Sequence, residues 1–461
     1  MNYFSTRGGV KGVSFKNAVM SGLAADGGLF LPESYPQIDI ARLRGKSYPE
    51  IAFEVMHPFA DGVDNFEELI HATYAPFDAS DVVPLKYAGG FNIAELFHGP
   101  TYAFKDIALQ FLGNLFDRLL SERGEALNIA AATSGDTGSA AIYGVAGKKN
   151  IKIAVLYPHN RISAVQEKQM TAARSENCLP LAVDGASFDD CQKIVKQLFK
   201  DTELKKRYPL GAVNSINWAR ILSQIVYYFS SYLKLNTSEK VYFAVPTGNF
   251  GNIFAGYCAM RMGLPVEKLV IVCNANDILH RFISSGDYSI KGVAATHSPS
   301  MDIEVASNLE RYLFYLYGED HNKLSEAMLE LANTRKINFT DKEVAAANEV
   351  FLSCSANDSE IEETIASVYD KSGYILDPHS ACGVYAASKL NLPRGRSITL
   401  ATAHPAKFCE VVEKSAKTKL TPPNGLRNLP EPRREIVKNS YEYIKSVLND
   451  FFGKSWGKGV I

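Results

Sequence analysis

The stretch LNIAAATSGDTGSAAIYGVAGKKNIKIAVLYP, residues 127–158, decides the fold. LNIAAAT (127–133) and IKIAVLYP (151–158) are apolar runs of strand length without polar alternation. Between them, Gly-rich SGDTG breaks the pattern and SAAIYGVAG reads as a helix. Strand, tight turn, helix and second strand make a parallel β-α-β unit, whose strands are covered on both faces.

The alternation continues outward. SAVQEKQMTAAR (163–174) reads as a helix, CLPLAVDG (178–185) as a strand and SFDDCQKIVKQLFKDTELKKRY (187–208) as a long amphipathic helix. Later come strand VYFAVP (241–246), helix IFAGYCAMRMG (253–263), strand LVIVCN (269–274) and strand SITLATA (397–403), the last leading into a helix around PAKFCEVVEKSA. The expectation is an α/β protein with parallel sheets. The first ninety residues are irregular, with glycine pairs at 8–9, 27–28 and 89–90, and read as an N-terminal cap, 1–90. Residues 305–371 are helix-rich and read as an insertion rather than another sheet. TPPNGLRNLPEPRREI (421–436) carries four prolines, so 421–461 reads as a linker followed by a C-terminal helix and tail.

Composition narrows the function. A chain of 461 residues suits two or three domains. Lys plus Arg number 49 against 50 Asp plus Glu, a balance that argues against nucleic acid or an anionic membrane as the main partner. The start, MNYFSTRGGVKGVSF, does not read as a signal peptide, and no eighteen apolar residues run together. Seven widely spaced cysteines without Cys-x-x-Cys argue against a disulfide framework or structural zinc and fit a reducing cytoplasm. No His-Glu-x-x-His pair occurs, and no metal is expected.

Three small-residue turns fall near strand ends: ATSGDTG (132–138), NSINWAR (214–220) and PTGNFGN (246–252). Such turns gather backbone N–H groups at a helix N-terminus, where anions bind. Each alone could be a tight βα turn; three together suggest two anionic groups, one on a cofactor and one on a substrate. ATP and NAD are disfavoured. Gly-Lys-Ser occurs at 45–47 and 453–455, but Ile40 or Leu448 stands where the earlier glycine is needed, and no G-x-G-x-x-G occurs.

A fourth segment is HGPTYAFKDIALQFLGNLF (98–116), in which Lys105 opens an amphipathic helix. A lysine there is either a solvated surface residue with its stem along the protein, or an amine whose neutral form is favoured by apolar neighbours and the helix N-terminus. The neutral amine is what Schiff-base chemistry requires. His98 reads as loop-ordering or structural, His404-Pro405 as turn-shaping, and Tyr227-Tyr228-Phe229 as core.

HGPTYAFKD, ATSGDTG, PTGNFGN and ATAHPAKF (401–408) closely resemble, in order, the signature segments of the threonine synthase family, and RGGVKGVSFKNAVMSGLAADGGLFLPE (7–33) resembles its N-terminus. The resemblance runs from about residue 1 to about residue 415. It implies the type-II fold of pyridoxal-phosphate enzymes, an α/β architecture of two parallel-sheet, three-layer domains with a cap and a helical insertion. The large cofactor domain would comprise 91–128 and 210–420, including the insertion at about 305–371. A small mobile domain, 129–209, would close over substrate.

By the same resemblance, Lys105 would be the catalytic lysine, bound to pyridoxal 5′-phosphate in the resting enzyme. Gly248, Asn249, Phe250, Gly251 and Asn252 would cradle the cofactor phosphate, and Thr402 would meet the ring nitrogen. Asp136 would lie near the ring hydroxyl, where the family commonly has Asn or Asp. Thr133, Ser134 and Thr137 would hold substrate, and Asn214, Ser215 and Arg220 its phosphate. The implied reaction is O-phospho-L-homoserine plus water to L-threonine plus phosphate, by γ-elimination and β-addition of water. The partner is that small molecule, with neither nucleic acid nor membrane, and the assembly a monomer or homodimer. A related phospho-lyase would carry similar motifs and differ in product. A non-catalytic descendant would be expected to lose the lysine or the loops, whereas this chain keeps all four segments.

Overall fold

Residues 1–79, 81–173 and 175–454 are described by a computed structural model. The chain sorts into two units: Met1–Ile70, Phe77–His98 and Ser215–Thr421 form the first; His71–Pro76, Gly99–Asn214 and the chain from Pro422 form the second.

In the first unit a six-stranded sheet runs in the order 351–355, 266–273, 241–246, 397–401, 91–95, 85–88. Neighbours are parallel except the last pair, an antiparallel hairpin closed at Gly89-Gly90. Val241–Pro246, an unbroken apolar run, is buried at all but one position, and Ser397–Ala401 is buried at every position, Ser397 and Thr399 included. Helix Pro378–Lys389 packs against both strands. Ile93, Ala244, Val270, Val272 and Val384 belong to the core cluster there. The helix Trp218–Lys234 is buried from Trp218 through Tyr232, so polar residues on it are taken out of water with the apolar ones. The N-terminal segment contributes a small antiparallel sheet, ordered 13–14, 2–5, 30–32.

The second unit is built on a five-stranded, wholly parallel sheet ordered 435–438, 178–184, 151–158, 127–132, 210–211. All eight residues of Ile151–Pro158 are buried. Helices Lys105–Arg123 and Asp136–Val145 meet at two glycines. A Cβ on Gly113 would lie 2.0 Å from the Gly144 carbonyl oxygen, and one on Gly144 2.4 Å from that of Leu109. This backbone contact packs the Lys105 helix closely against the helix that follows the SGDTG turn.

Two expectations change. The region 305–371 is helical over 309–316, 321–334, 341–350 and 358–372, but it is not only an insertion. Phe351–Ser355 is the edge strand of the six-stranded sheet, and Lys336–Asn338 pairs antiparallel with Asp287–Ser289. The strand FLSCS buries only Phe351 and Cys354 and follows a helix without a turn residue between them, so its pattern is weak in sequence. The division of the chain also differs. Residues 129–209 fall inside the second unit, but so do 99–128 with Lys105, and the chain from Pro422. Glu435–Lys438 extends that sheet, and helix Tyr441–Gly453 is anchored by the Lys152 ammonium, which donates to the carbonyls of Phe451, Phe452 and Lys454. The expected tail 455–461 lies outside the described residues.

Candidate active site

In the second unit the site begins with a knot around Lys105. The buried Asp106 carboxylate accepts from the Thr101 backbone N–H at 2.7 Å and from its hydroxyl at 2.7 Å. Gln169 donates to the Thr101 carbonyl at 2.9 Å. An acidic side chain in the first turn suits the positive helix end, and here it folds HGPTYAF back onto the helix that Lys105 opens. The Lys105 Nζ lies 3.6 Å from the Asp136 Oδ2, an ion pair the motif reading did not assign to the lysine.

Asp136 opens the next helix after Gly135, whose φ of 137° is one that a side chain would strain. Its other carboxylate oxygen accepts from Gln166 Nε2 at 3.0 Å. Thr133 is buried, and its Oγ1 accepts from the N–H groups of Gly135 and Gly138 at 3.0 and 2.9 Å. That oxygen therefore closes the turn. Ser134 is exposed and Thr137 half-buried, and neither hydroxyl bonds to a described residue. Asp106, Thr101, Gln166 and Gln169 were not singled out in the sequence. The only signal was an Asp directly after the lysine at a helix start.

In the first unit PTGNFGN joins strand Val241–Pro246 to helix Gly251–Arg261. Phe250 takes a left-handed φ of 63°, turning the chain so that the helix N-terminus is presented. Gly248 lies against a neighbouring turn, where an added Cβ would come within 2.7 Å of the Ser300 oxygen. Asn252 has its Oδ1 taken by the hydroxyls of Tyr227 at 2.5 Å and Tyr228 at 3.1 Å. Its buried Nδ2 has no partner among the described residues. The tyrosines, read from sequence as core, are buried as expected and also aim that amide donor.

Asn308 joins this loop to the next. Its Nδ2 donates to the carbonyls of Asn249 at 3.0 Å and Ser215 at 3.2 Å, and Ser307 Oγ lies 3.0 Å from Ser215 Oγ. The fully buried Arg311 holds Asn308 and the Ile216 carbonyl. Neither Asn308 nor Arg311 had a sequence signal, because helical periodicity treats such polar residues as surface. Asn214 is exposed and belongs to the second unit, while Ser215 and Arg220 belong to the first.

Arg220 stands in the first turn of Trp218–Lys234. It is buried, its Nε has no hydrogen-bond partner among the described residues, and desolvation pushes its pKa down to about 10. A buried cation at the positive end of a helix is a place for an anion. Thr402 follows strand Ser397–Ala401, is buried, and donates its N–H to Ser380 Oγ at 3.3 Å. Its hydroxyl bonds to no described residue. A crowded glycine turn, an unpartnered amide donor, a helix N-terminus and an uncharged hydroxyl form a donor set that fits a phosphorylated pyridine. The described residues include no group of three or more metal-ligating side chains.

The comparisons agree with that chemistry. Residues 94–350, more than half of the chain, match the family described as pyridoxal-phosphate dependent enzyme. Flanking it, residues 2–74 match the threonine synthase N terminus and 380–447 the threonine synthase C-terminal family. The threonine synthase of Pseudomonas aeruginosa is 47% identical over 427 residues, covering 90% of each chain. That of Schizosaccharomyces pombe is 45% identical, covering 89% of this chain and 88% of that one. The crystal structure of threonine synthase from Brucella melitensis, described as pyridoxal-phosphate bound, superposes with a TM-score of 0.95 at 42% identity, covering 98% of this chain and 100% of that one. The chain belongs to the threonine synthase family of pyridoxal-phosphate-dependent enzymes.

Proposed function

We propose that this chain converts O-phospho-L-homoserine and water to L-threonine and phosphate, as a pyridoxal-phosphate-dependent carbon–oxygen lyase. The observation that carries the substrate's phosphate is Arg220, a buried guanidinium whose Nε has no partner, and which pairs with no carboxylate, among the described residues. A guanidinium fork suits phosphate because it can hold two oxygens at once.

The bound cofactor supplies an electron sink for negative charge at the substrate's α-carbon. In this reading Lys105 would hold the cofactor, and its amine, once free, would move protons at the substrate's α- and β-carbons as general base and acid. The backbone N–H groups of 248–252, with Asn252 Nδ2, take the cofactor phosphate, and Thr402 gives the ring nitrogen a neutral partner. Asp136 orients Lys105 and the ring hydroxyl, supported by its carboxylate facing the amine. Ser134 and Thr137 offer free hydroxyls to substrate, Thr133 shapes their turn, and Asn214, Ser215 and Arg220 retain the phosphate. The unit that contains residues 129–209 acts as the mobile part, whose closure excludes water until β-addition. A cytoplasmic site of action is supported by seven cysteines that are all free thiols.

The test is a product assay on purified holoenzyme with O-phospho-L-homoserine. Threonine and inorganic phosphate in equal amounts are expected. Phosphate accompanied chiefly by 2-oxobutanoate would replace this reading with a phospho-lyase.

A further inference from the structure

The first unit holds a buried Asp–His–Ser cluster outside the motifs. Asp377 caps the helix Pro378–Lys389 and is almost wholly enclosed. Its Oδ1 accepts from the His379 backbone N–H at 2.9 Å and lies 2.8 Å from His379 Nδ1; its Oδ2 accepts from the Ser380 backbone N–H and hydroxyl. His379 Nε2 is 3.1 Å from the Ser300 backbone N–H and must accept from it. The ring proton is therefore on Nδ1, facing the carboxylate. A hydrolytic triad is not formed, because the serine hydroxyl bonds to the aspartate and the imidazole's far nitrogen is occupied by a backbone donor.

The two ends of this cluster reach two different features. Ser300, held by His379, sets its carbonyl against Gly248 at the head of PTGNFGN. Ser380, held by Asp377, accepts from the Thr402 N–H. One carboxylate thus fixes the backing of the Gly248 turn and the backbone of Thr402.

We infer that Asp377 and His379 are positioning residues that set the cofactor-phosphate turn and Thr402 relative to each other. The inference rests on the assignment of 248–252 to the cofactor phosphate and of Thr402 to the ring nitrogen. The rigid part is the hydrogen-bonded chain Ser300–His379–Asp377–Ser380–Thr402; none of its middle members need touch the cofactor.

The test uses His379→Asn and His379→Gln, titrating cofactor-free protein with pyridoxal phosphate and with pyridoxal, followed by absorbance. Asparagine keeps a donor at the Nδ1 place and leaves the Ser300 N–H without an acceptor; glutamine can put an oxygen at the Nε2 place. His379→Asn should weaken pyridoxal phosphate by ~10- to 100-fold, the loss typical of removing an outer-shell support. It should weaken pyridoxal far less, and His379→Gln should recover most of the loss. Ser380→Ala, which unties Thr402 and leaves the Asp377–His379–Ser300 arm in place, should move the visible band without changing the preference for the phosphorylated cofactor.

Equal weakening of both ligands by both His379 variants, tracking the melting temperature of the cofactor-free protein, would reduce the cluster to a structural support and overturn the inference. An unchanged band in Ser380→Ala would remove its Thr402 arm. Failure of the phosphate-turn assignment has a separate signature: Gly248→Val, whose side chain would meet the Ser300 carbonyl, would bind pyridoxal phosphate as well as wild type does.

Discussion

The Lys105 ammonium and the Asp136 carboxylate face each other at 3.6 Å from the first residues of two helices, and the helices are locked by the contact of Gly113 with Gly144. The backbone that carries the lysine is thus packed closely against the helix that carries Asp136. Lys105→Ala should leave this architecture intact, lower turnover by ~10³-fold or more, and remove the visible band of the purified protein. A retained band would mean that another lysine carries the cofactor.

Arg220→Ala should act on substrate rather than cofactor. The guanidinium is buried and the cofactor phosphate has its own loop at 248–252. Losing a charge-assisted pair in an enclosed site costs on the order of 2–5 kcal/mol. KM for phosphohomoserine should rise accordingly, while pyridoxal-phosphate affinity measured by titration stays close to wild type. The reverse pattern would exchange the two phosphate sites.

Much of this was legible because parallel strands announce themselves. Ile151–Pro158 is apolar at every position but Lys152 and buried at every one. The tight turn of SGDTG was legible because its backbone demands a particular residue, Gly135 at a φ of 137°. Phe351–Ser355 and Glu435–Lys438 were missed because they are short edge strands with one or two buried residues each. Asn308, Arg311, Asp377 and His379 were missed for another reason. They are buried polar residues, and local spacing encodes neither that burial nor the distant partners that tie three of them into the site, Ser300 for His379, Ser215 for Asn308 and Ile216 for Arg311.

His404 gives stability an acid limit. Burial, with the nearby His98 adding repulsion, pushes its pKa down to about 4, and its Nδ1 accepts from the Ala406 N–H at 3.1 Å. In the unfolded chain the imidazole has its ordinary value near ~6.5. Between these values the unfolded state binds the additional proton, so stability falls as pH drops below about 6.5 and this contribution levels off below about 4. The loss attributable to this group is at most about 3 kcal/mol. His404→Asn keeps an acceptor for Ala406 without the titration. Denaturant unfolding at pH 7 and pH 4.5 should show a smaller acid loss in the variant; equal losses would assign the acid sensitivity to other groups.

Thr402→Asp tests how the site restrains side reactions. Thr402 is buried at the end of Ser397–Ala401 with its hydroxyl uncommitted, and its backbone is tied through Ser380 to Asp377. In the proposed reading a neutral partner leaves the cofactor nitrogen less protonated than a carboxylate would, which moderates the electron sink. Lys105 must then move protons at two adjacent carbons before water adds, and a weaker sink limits the branches by which negative charge drains elsewhere. An aspartate of similar size would hold the nitrogen protonated. Threonine formation should fall by about tenfold or more, equivalent to ~1.4 kcal/mol of barrier, with the remaining flux shifted toward keto acid or transamination products. Quantifying threonine, phosphate and keto acid from the same reaction decides it. A variant that keeps wild-type rate and product ratio would show that Thr402 is not the partner of the ring nitrogen, whatever the fate of the phosphate turn.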